Sequence, residues 1–340
     1  MRVGLIARAT ATGLGTQTQN FYRGYEPDSV LLLRDGSRWW QDDLSWYPDA
    51  HVARFDGTDI EPGPAEAFAS EIDVLFSVET LYSWKFAAML KNRHIRTVVQ
   101  GNPEFYRRPG EKGAAPIPDQ WTWPTTWLLS ELPEGPVVPV PAFTEPRPPK
   151  PQTKDSDLLT FLHVAGHRAN GDRNGTEVFC KAIRHLQQPC RVKVIGQDGR
   201  LPIPDVIPNH VKLDVNANGT DDRWDLYRHA DVLVSPRRYG GLSLPVQEAM
   251  HCGLVVMMSD CSPNRDWPII PIPCSVGTAL RTPFGHVRTF EVRARTLASE
   301  MDALTQNRPR IHSAREDGEE WLVSHSWERL RPDYDKVLAG

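Results

Sequence analysis

The sequence predicts an α/β protein with two parallel sheets, one in each half of the chain. Three observations carry this. Short apolar runs alternate with helical stretches up to Val140, and the same alternation restarts at Leu158. Repeated strand–helix–strand units belong to parallel sheets covered on both faces. Between the two series lies PAFTEPRPPKPQTK, residues 141–154, with five prolines and few large apolar residues. Such a composition forms a semi-rigid linker. Finally, 340 residues is the length of two domains at about 100–200 residues each.

Taken in order, Arg2–Ala7 reads as a first strand, and Thr16–Tyr25 as a helix after the Gly-rich turn GLG. Ser29–Leu33, Asp73–Val78 and Ile95–Gln100 are further strands, with Leu81–Asn92 a helix between the last two. Trp127–Ser130 and Val137–Val140 are shorter strand candidates. In the second half Leu158–Val164, Cys190–Ile195, Val211–Val215, Asp231–Ser235 and Leu254–Ser259 read as strands. Gly175–Leu186, Asp222–His229 and Pro245–Cys252 read as helices, and Ser313–Ala339 is largely helical by composition. Two such sheets facing each other make a cleft, and open α/β sheets bind ligands at the carboxyl ends of their strands.

Composition narrows the function. No run of residues approaches the length of about 20 apolar positions that spans a bilayer, and MRVGLIARAT is a strand rather than a secretory leader. A cytoplasmic location is therefore expected. The five cysteines, 180, 190, 252, 261 and 274, make no Cys-x-x-Cys pair, so reduced, buried thiols are expected in place of a zinc site or disulfide framework. Residues 1–150 carry 15 Lys+Arg against 19 Asp+Glu, while the rest carry 24 of each. Neither half has the basic excess of a general nucleic-acid binder. Tryptophans 39, 40, 46, 84, 121, 123 and 127 are either core or stacking platforms. Trp39–Trp40 and Trp121–Trp127 lie in polar, Pro-containing stretches, which favours exposure.

The chemistry concentrates in the second half. In SPRRYGGLSLPVQEAMHCGLVVMMS, residues 235–259, a strand ends at Ser235, Gly240 and Gly241 permit close backbone approach, and a helix starts near Pro245. Unpaired N–H groups at a helix start hold anions, phosphate above all. Glu248 lies one turn into that helix, where a carboxylate can accept two hydrogen bonds from a ribose diol. The loop GHRANGDRNG, residues 166–175, supplies Arg168 and Arg173, whose guanidinium forks match diphosphate oxygens. Gly13-Leu14-Gly15-Thr16 in the first half is a poor dinucleotide fingerprint, because it begins six residues past the strand and Thr18 replaces the third Gly. A solvated Glu and a plain turn are the competing readings.

These residues together resemble the nucleotide-sugar domain of retaining GT-B glycosyltransferases of the family 4 type (glycosyl transferases group 1). YGGLSLPVQEAMHCG follows that family's Gly-rich turn, small-Leu-Pro element and Glu-Ala-Met-x-x-Gly helix; HADVLVSP resembles its Ala-Asp-Val strand, and GHRANGDRNG its phosphate loop, with Arg173 where Lys is usual. GQDG at 196–199 resembles its Gly-x-Gly turn, and SHSWERLRPDYDKVL its last helix. The match covers most of residues 155–340; residues 1–150 match only in layout. The resemblance implies two Rossmann-like domains facing each other across a cleft: an acceptor-side domain over 1–145, the linker at 146–154, a donor domain over 155–320, and a final helix, 321–340, crossing back.

By position, the resemblance implies that Arg168 and Arg173 are catalytic. Glu248 binds the ribose, Tyr239, Gly240, Gly241, Leu242 and Ser243 meet phosphate and sugar, and Gly196, Leu213 and Val215 line the base pocket. Gly13, Gly15 and Thr16 form the glycine loop of the first domain, and Glu79, Gln100 and Asn102 lie on its acceptor side. The implied activity is transfer of a hexosyl or pentosyl group from a UDP- or GDP-sugar, as co-substrate, to a hydroxyl on a small molecule, protein or modified DNA base. Configuration is retained, with no cofactor or metal and no integral membrane segment. Two departures stand out. The family's first Glu falls at Gly240, and a His usual after the fourth strand gives way to QGNPE at 100–104. The first leaves a sugar-nucleotide-binding homologue without catalysis as the alternative.

Overall fold

The computed structural model describes residues 1–35, 43–148, 158–166, 171–197, 199–220, 222–282 and 285–340. Arg168, Trp39 and Trp40 lie outside these described residues, as do residues 149–157 of the Pro-rich stretch. The chain divides into two compact units: residues 1–144 with 325–340, and residues 145–324.

In the first unit β1 (Val3–Ala7), α1 (Gly13–Tyr25), β2 (Ser29–Arg34), β3 (His51–Arg54), α2 (Pro62–Ser70), β4 (Val74–Val78), α3 (Trp84–Asn92), β5 (Arg96–Gln100) and β6 (Gln120–Thr122) follow in sequence. The strands form one sheet in the order β3-β2-β1-β4-β5-β6, with every pairing parallel. Alternation along the strands feeds two cores. Val3, Leu5 and Ala7 join Phe21 and Phe76 on one face, while Ile6, Leu31 and Leu75 join Phe68 and Leu90 on the other.

The second unit runs β7 (Thr160–Gly166), α4 (Thr176–Ile183), β8 (Cys190–Gly196), β9 (Val211–Asn216), β10 (Val232–Ser235), α5 (Leu244–His251), β11 (Val255–Ser259) and β12 (Ile270–Ile272). Its sheet is again parallel, in the order β12-β11-β10-β7-β8-β9. Two short hairpin pairings, β13 (Cys274–Val276) with β16 (Phe290–Val292) and β14 (Leu280–Thr282) with β15 (Gly285–Val287), precede α6 (Ala294–Gln306) and α7 (Arg308–Ser324). The last helix, α8 (Trp327–Ala339), belongs to the first unit. There Trp327 and Tyr334 join the α1-side core, and the Tyr25 hydroxyl donates to Asp335 at 2.7 Å.

Several readings of the sequence need correction. Gly13, Gly15 and Thr16 are not a loop but the first turn of α1, capped by the Thr12 hydroxyl, which accepts from the Gly15 amide at 3.1 Å. Gly15 serves close packing, since a Cβ there would lie 2.0 Å from the Thr10 carbonyl oxygen. Asp222–His229 contains a single 3-10 turn, Arg223–Leu226, followed by His229 in the left-handed region at φ 64°. Leu129–Glu131 is a 3-10 turn instead of a strand, and Val137 forms only an isolated bridge to Trp123. Trp121, Trp123 and Trp127 are buried despite their polar neighbours, with the first two rings stacked at 5.4 Å. Among the described residues the cysteines form no disulfide, and four of them are buried.

Candidate functional site

In the second sheet β7 and β10 lie side by side, yet β7 leads on to β8 and β9 while β10 leads on to β11 and β12. Their carboxyl ends are therefore the topological switch point, the usual ligand position in an open α/β sheet. His163 fixes the two strands there. It is fully buried, with Nδ1 2.8 Å from the Val234 carbonyl and Nε2 3.0 Å from the Thr176 hydroxyl. A carbonyl only accepts, so Nδ1 carries the proton and Nε2 accepts from Thr176. Burial lowers its pKa to about 4, which keeps the ring neutral.

Two loops leave this point, and they are tied together. The Arg238 amide donates to the Arg173 carbonyl at 2.8 Å, and the Arg238 guanidinium donates to the Gly171 carbonyl at 3.1 Å. Gly175, at φ 72°, sits where a Cβ would come 2.2 Å from the Pro236 carbonyl oxygen. Asp172 turns its carboxylate onto the amides of Thr176 and Glu177, at 2.8 and 3.0 Å, and so caps α4. Those amides are thereby satisfied within the chain. The Arg173 side chain is half-buried in this loop.

The turn Tyr239–Ser243 leads into α5, which has Pro245 in its first turn. Its conformation depends on Arg237, which the sequence offers, with Arg238 and Tyr239, as a substitute for the acidic residue missing at Gly240; the structure instead turns its guanidinium onto the backbone of the turn. Arg237 is 3% exposed, and its guanidinium donates to the carbonyls of Gly241, at 3.3 Å, and Leu242, at 2.8 Å. Gly240 has φ 128°, and a Cβ on it would lie 2.1 Å from Arg237 Nη2. The space that a side chain at 240 would occupy is thus filled by arginine. The amides of Leu242 and Ser243 have no hydrogen-bond partner among the described residues.

Glu248, on the buried side of α5, accepts from the Tyr227 hydroxyl at 2.5 Å through Oε2. Its Oε1 makes no hydrogen bond among the described residues. Burial raises the Glu248 pKa, with the Tyr227 bond and nearby Arg223 acting the other way. Tyr227, itself fully buried, is pushed well above its usual value by burial and then by Glu248. Arg223 is held by an ion pair with Glu145 and stacks over Trp224, 4.3 Å from the ring centre.

The remaining residues that the sequence singles out in this unit follow along the same sheet edge. Gly196 ends β8 opposite Gly166 of β7, and Leu213 and Val215 share one face of the edge strand β9. Leu213 is half-buried and Val215 is 41% exposed, leaving apolar surface on that strand. The structure thus brings Arg173, Tyr239–Ser243, Glu248 and Gly196 to consecutive strand ends. In the first unit Glu79, Gln100 and Asn102 also gather at strand ends. Asn102 donates to Glu79 at 2.9 Å, and Gln17 donates to Gln100 at 2.9 Å. Gln100 donates in turn to the Val138 carbonyl, at 2.8 Å, and to the Tyr334 hydroxyl, at 3.2 Å. Its amide therefore joins α1, β5 and α8 from within the core.

Two units with parallel sheets of this kind define the GT-B class of α/β protein, and solved structures agree. HepE of Anabaena, solved with UDP and glucose, is 12% identical with a TM-score of 0.64, over 100% of this chain and 99% of that one. A glycosyltransferase from Rickettsia africae is 11% identical with a TM-score of 0.61, over 99% and 97%. Sucrose-phosphate synthase from Thermosynechococcus elongatus is 14% identical with a TM-score of 0.61, over 99% and 98%. Within the second unit, residues 159–267 match the profile of the family described as Glycosyl transferases group 1. No curated protein sequence matches the chain. Among the described residues, no helix is long and apolar enough to cross a membrane.

Proposed function

We propose that this chain transfers a sugar from a nucleotide diphosphate sugar, a UDP-sugar in the first instance, to a hydroxyl, with retention of configuration and without a metal. The observation that carries the reading is the Tyr239–Ser243 turn, held by buried Arg237, entering α5 beside a Glu248 whose second carboxylate oxygen is unengaged. The matched family segment spans these residues, and HepE was solved with UDP.

In this reading Glu248 Oε1 accepts from the ribose, and Leu213 and Val215 lie under the base. The Leu242 and Ser243 amides, with Arg173 and Arg168, meet the diphosphate. The bond from the sugar anomeric carbon to phosphate breaks while the acceptor oxygen bonds to the same face. The acceptor proton passes to the departing phosphate. Negative charge grows on that phosphate, and donors already fixed around it are the largest source of rate in such reactions. Calorimetric titration with UDP, UDP-sugars and GDP-sugars tests the donor site, and absence of nucleotide binding would refute it. Proton NMR of the product tests retention, since an inverted anomeric coupling excludes it.

One observation favours a second reading. Gly240 replaces an acidic residue of the resembling family, and Arg237 fills the adjacent space. A protein that binds the nucleotide sugar without transfer would fit this. Donor binding with neither hydrolysis nor transfer would decide for it.

A further inference from the structure

The first unit has its own switch point, between β1 and β4. Leu5 pairs with Phe76, so three residues further on Arg8 stands beside Glu79. Val78 pairs with Gln100, and the Glu79 amide donates to the Gln100 carbonyl at 2.9 Å. Arg8, Glu79 and Asn102 therefore follow the ends of three adjacent strands, a row about 10 Å across at the usual strand spacing. Glu79 and Tyr82, three positions apart, both hold left-handed backbone, at φ 68° and 64°. Strained non-glycine residues of this kind concentrate at binding sites.

Three polar atoms in this row are buried with no hydrogen-bond partner among the described residues: Arg8 Nε, Tyr82 Oη and Asn102 Oδ1. Asn102 is 8% exposed. Its Nδ2 donates to the Glu79 carboxylate, which only accepts, so Oδ1 is the atom left over. Arg8 is paired with Asp35 through Nη2, leaving Nε. Burial raises the Tyr82 hydroxyl pKa, Glu79 adds to the rise and Arg8 opposes it, so both charges act at that oxygen. Unsatisfied buried groups are costly and rare, and three along one sheet edge ask for a ligand.

We propose that Arg8, Tyr82 and Asn102, beside Glu79, form a subsite for a polyhydroxylated ring, the acceptor of the glycosyl transfer proposed above. This deepens that reading and rests on it. The subsite offers a donor at Arg8, an acceptor at Asn102 and a group of both kinds at Tyr82. A hydroxyl also donates and accepts, and two neighbouring hydroxyls complete all three atoms. Sulfate, carboxylate and fully ionised phosphate-ester groups bring acceptors only, and they would meet the Glu79 carboxylate and Asn102 Oδ1. The acidic balance of residues 1–150 also disfavours polyanionic acceptors.

The test uses the full chain, with methyl α-D-glucopyranoside, methyl α-D-galactopyranoside and myo-inositol as probes at millimolar concentration. Saturation-transfer difference NMR reads binding. At least one probe is expected to bind, about threefold to tenfold more weakly to Tyr82→Phe and Arg8→Lys, the loss of one hydrogen bond each. Arg8→Lys keeps the charge opposite Asp35. The thermal midpoint of ligand-free Tyr82→Phe should stay level or rise, because the lost hydroxyl had no partner; a structural role for it would lower the midpoint. Binding of none of the probes, equal affinity in both variants, or displacement of the probes by sulfate would each overturn the proposal. UDP affinity, measured in parallel, should not change in either variant. Failure of UDP to bind the unmodified protein would sink the donor-site reading, while the polyol result would still stand or fall on its own.

Discussion

Replacing Gly240 by alanine tests the central structural claim, that Arg237 and Gly240 form one device holding the turn before α5. The added Cβ would lie 2.1 Å from Arg237 Nη2 and 2.7 Å from its Cζ. The guanidinium must then leave the carbonyls of Gly241 and Leu242. Hydrogen bonds from a charged donor contribute about 1.5–3 kcal/mol each. The longer bond, at 3.3 Å, counts toward the lower end, so roughly 3 kcal/mol is lost. Alanine at φ 128° adds about 1–3 kcal/mol of backbone strain, for a total near 4–6 kcal/mol. Arg237→Ala alone should cost about 3 kcal/mol through the same two bonds. In the double variant those bonds are already gone, so its cost should equal that of Gly240→Ala, about 4–6 kcal/mol, instead of the roughly 7–9 kcal/mol of simple addition. Urea unfolding, followed by hydrogen exchange of α5 and β10 amides to report on the second unit, measures all three. Additive costs would refute the claim that the arginine occupies the space over Gly240.

Three further outcomes are expected. Arg173→Ala should lower turnover about 100- to 1,000-fold, the usual effect of deleting one fixed transition-state donor, with an unchanged circular dichroism spectrum; undiminished activity removes Arg173 from the diphosphate site. Burial lowers the folded pKa of His163 to about 4 from the ordinary 6.5, so its contribution to stability is complete above pH 6.5 and is lost as pH falls toward 4. The loss amounts to about 3 kcal/mol, and His163→Gln should flatten the urea midpoint across that window. Glu248 has its pKa raised by burial above the ordinary 4.5. The unfolded chain therefore gives up this proton first, and stability falls as pH rises from about 4.5 through the folded pKa. Glu248→Gln should lack that decline, so its stability relative to the unmodified protein should improve with pH; a constant difference would contradict a raised pKa.

The two units were not equally legible in the sequence, and the reason lies in how each kind of residue signals its role. Strands buried on both faces read as continuous apolar runs, so VGLIA, VLFSV, VLVS and VVMMS were visible at once. Short edge strands such as β3 and β6, with alternating or mixed burial, carry no such run and were missed. In the second unit the candidate site is local: the turn, Pro245 and Glu248 lie within ten residues, and their spacing along one helix start is readable as a motif. Arg237 is visible there only as one of three residues, with Arg238 and Tyr239, that could stand in for the missing acid; its hold on the turn is not legible, because a buried arginine is indistinguishable in sequence from its half-buried neighbour Arg238 until the carbonyls it holds are known. Tyr227, twenty-one residues from Glu248, escaped notice for the same reason. The first unit gathers Arg8, Glu79, Tyr82 and Asn102 from the ends of three strands, and strand order alone makes them neighbours. No spacing rule links positions 8, 79 and 102; only the parallel register of β1, β4 and β5 does. A site assembled by topology, with each strand contributing one residue, is invisible to motif reading, and it is the arrangement that lets acceptor recognition change while the sheet beneath stays the same.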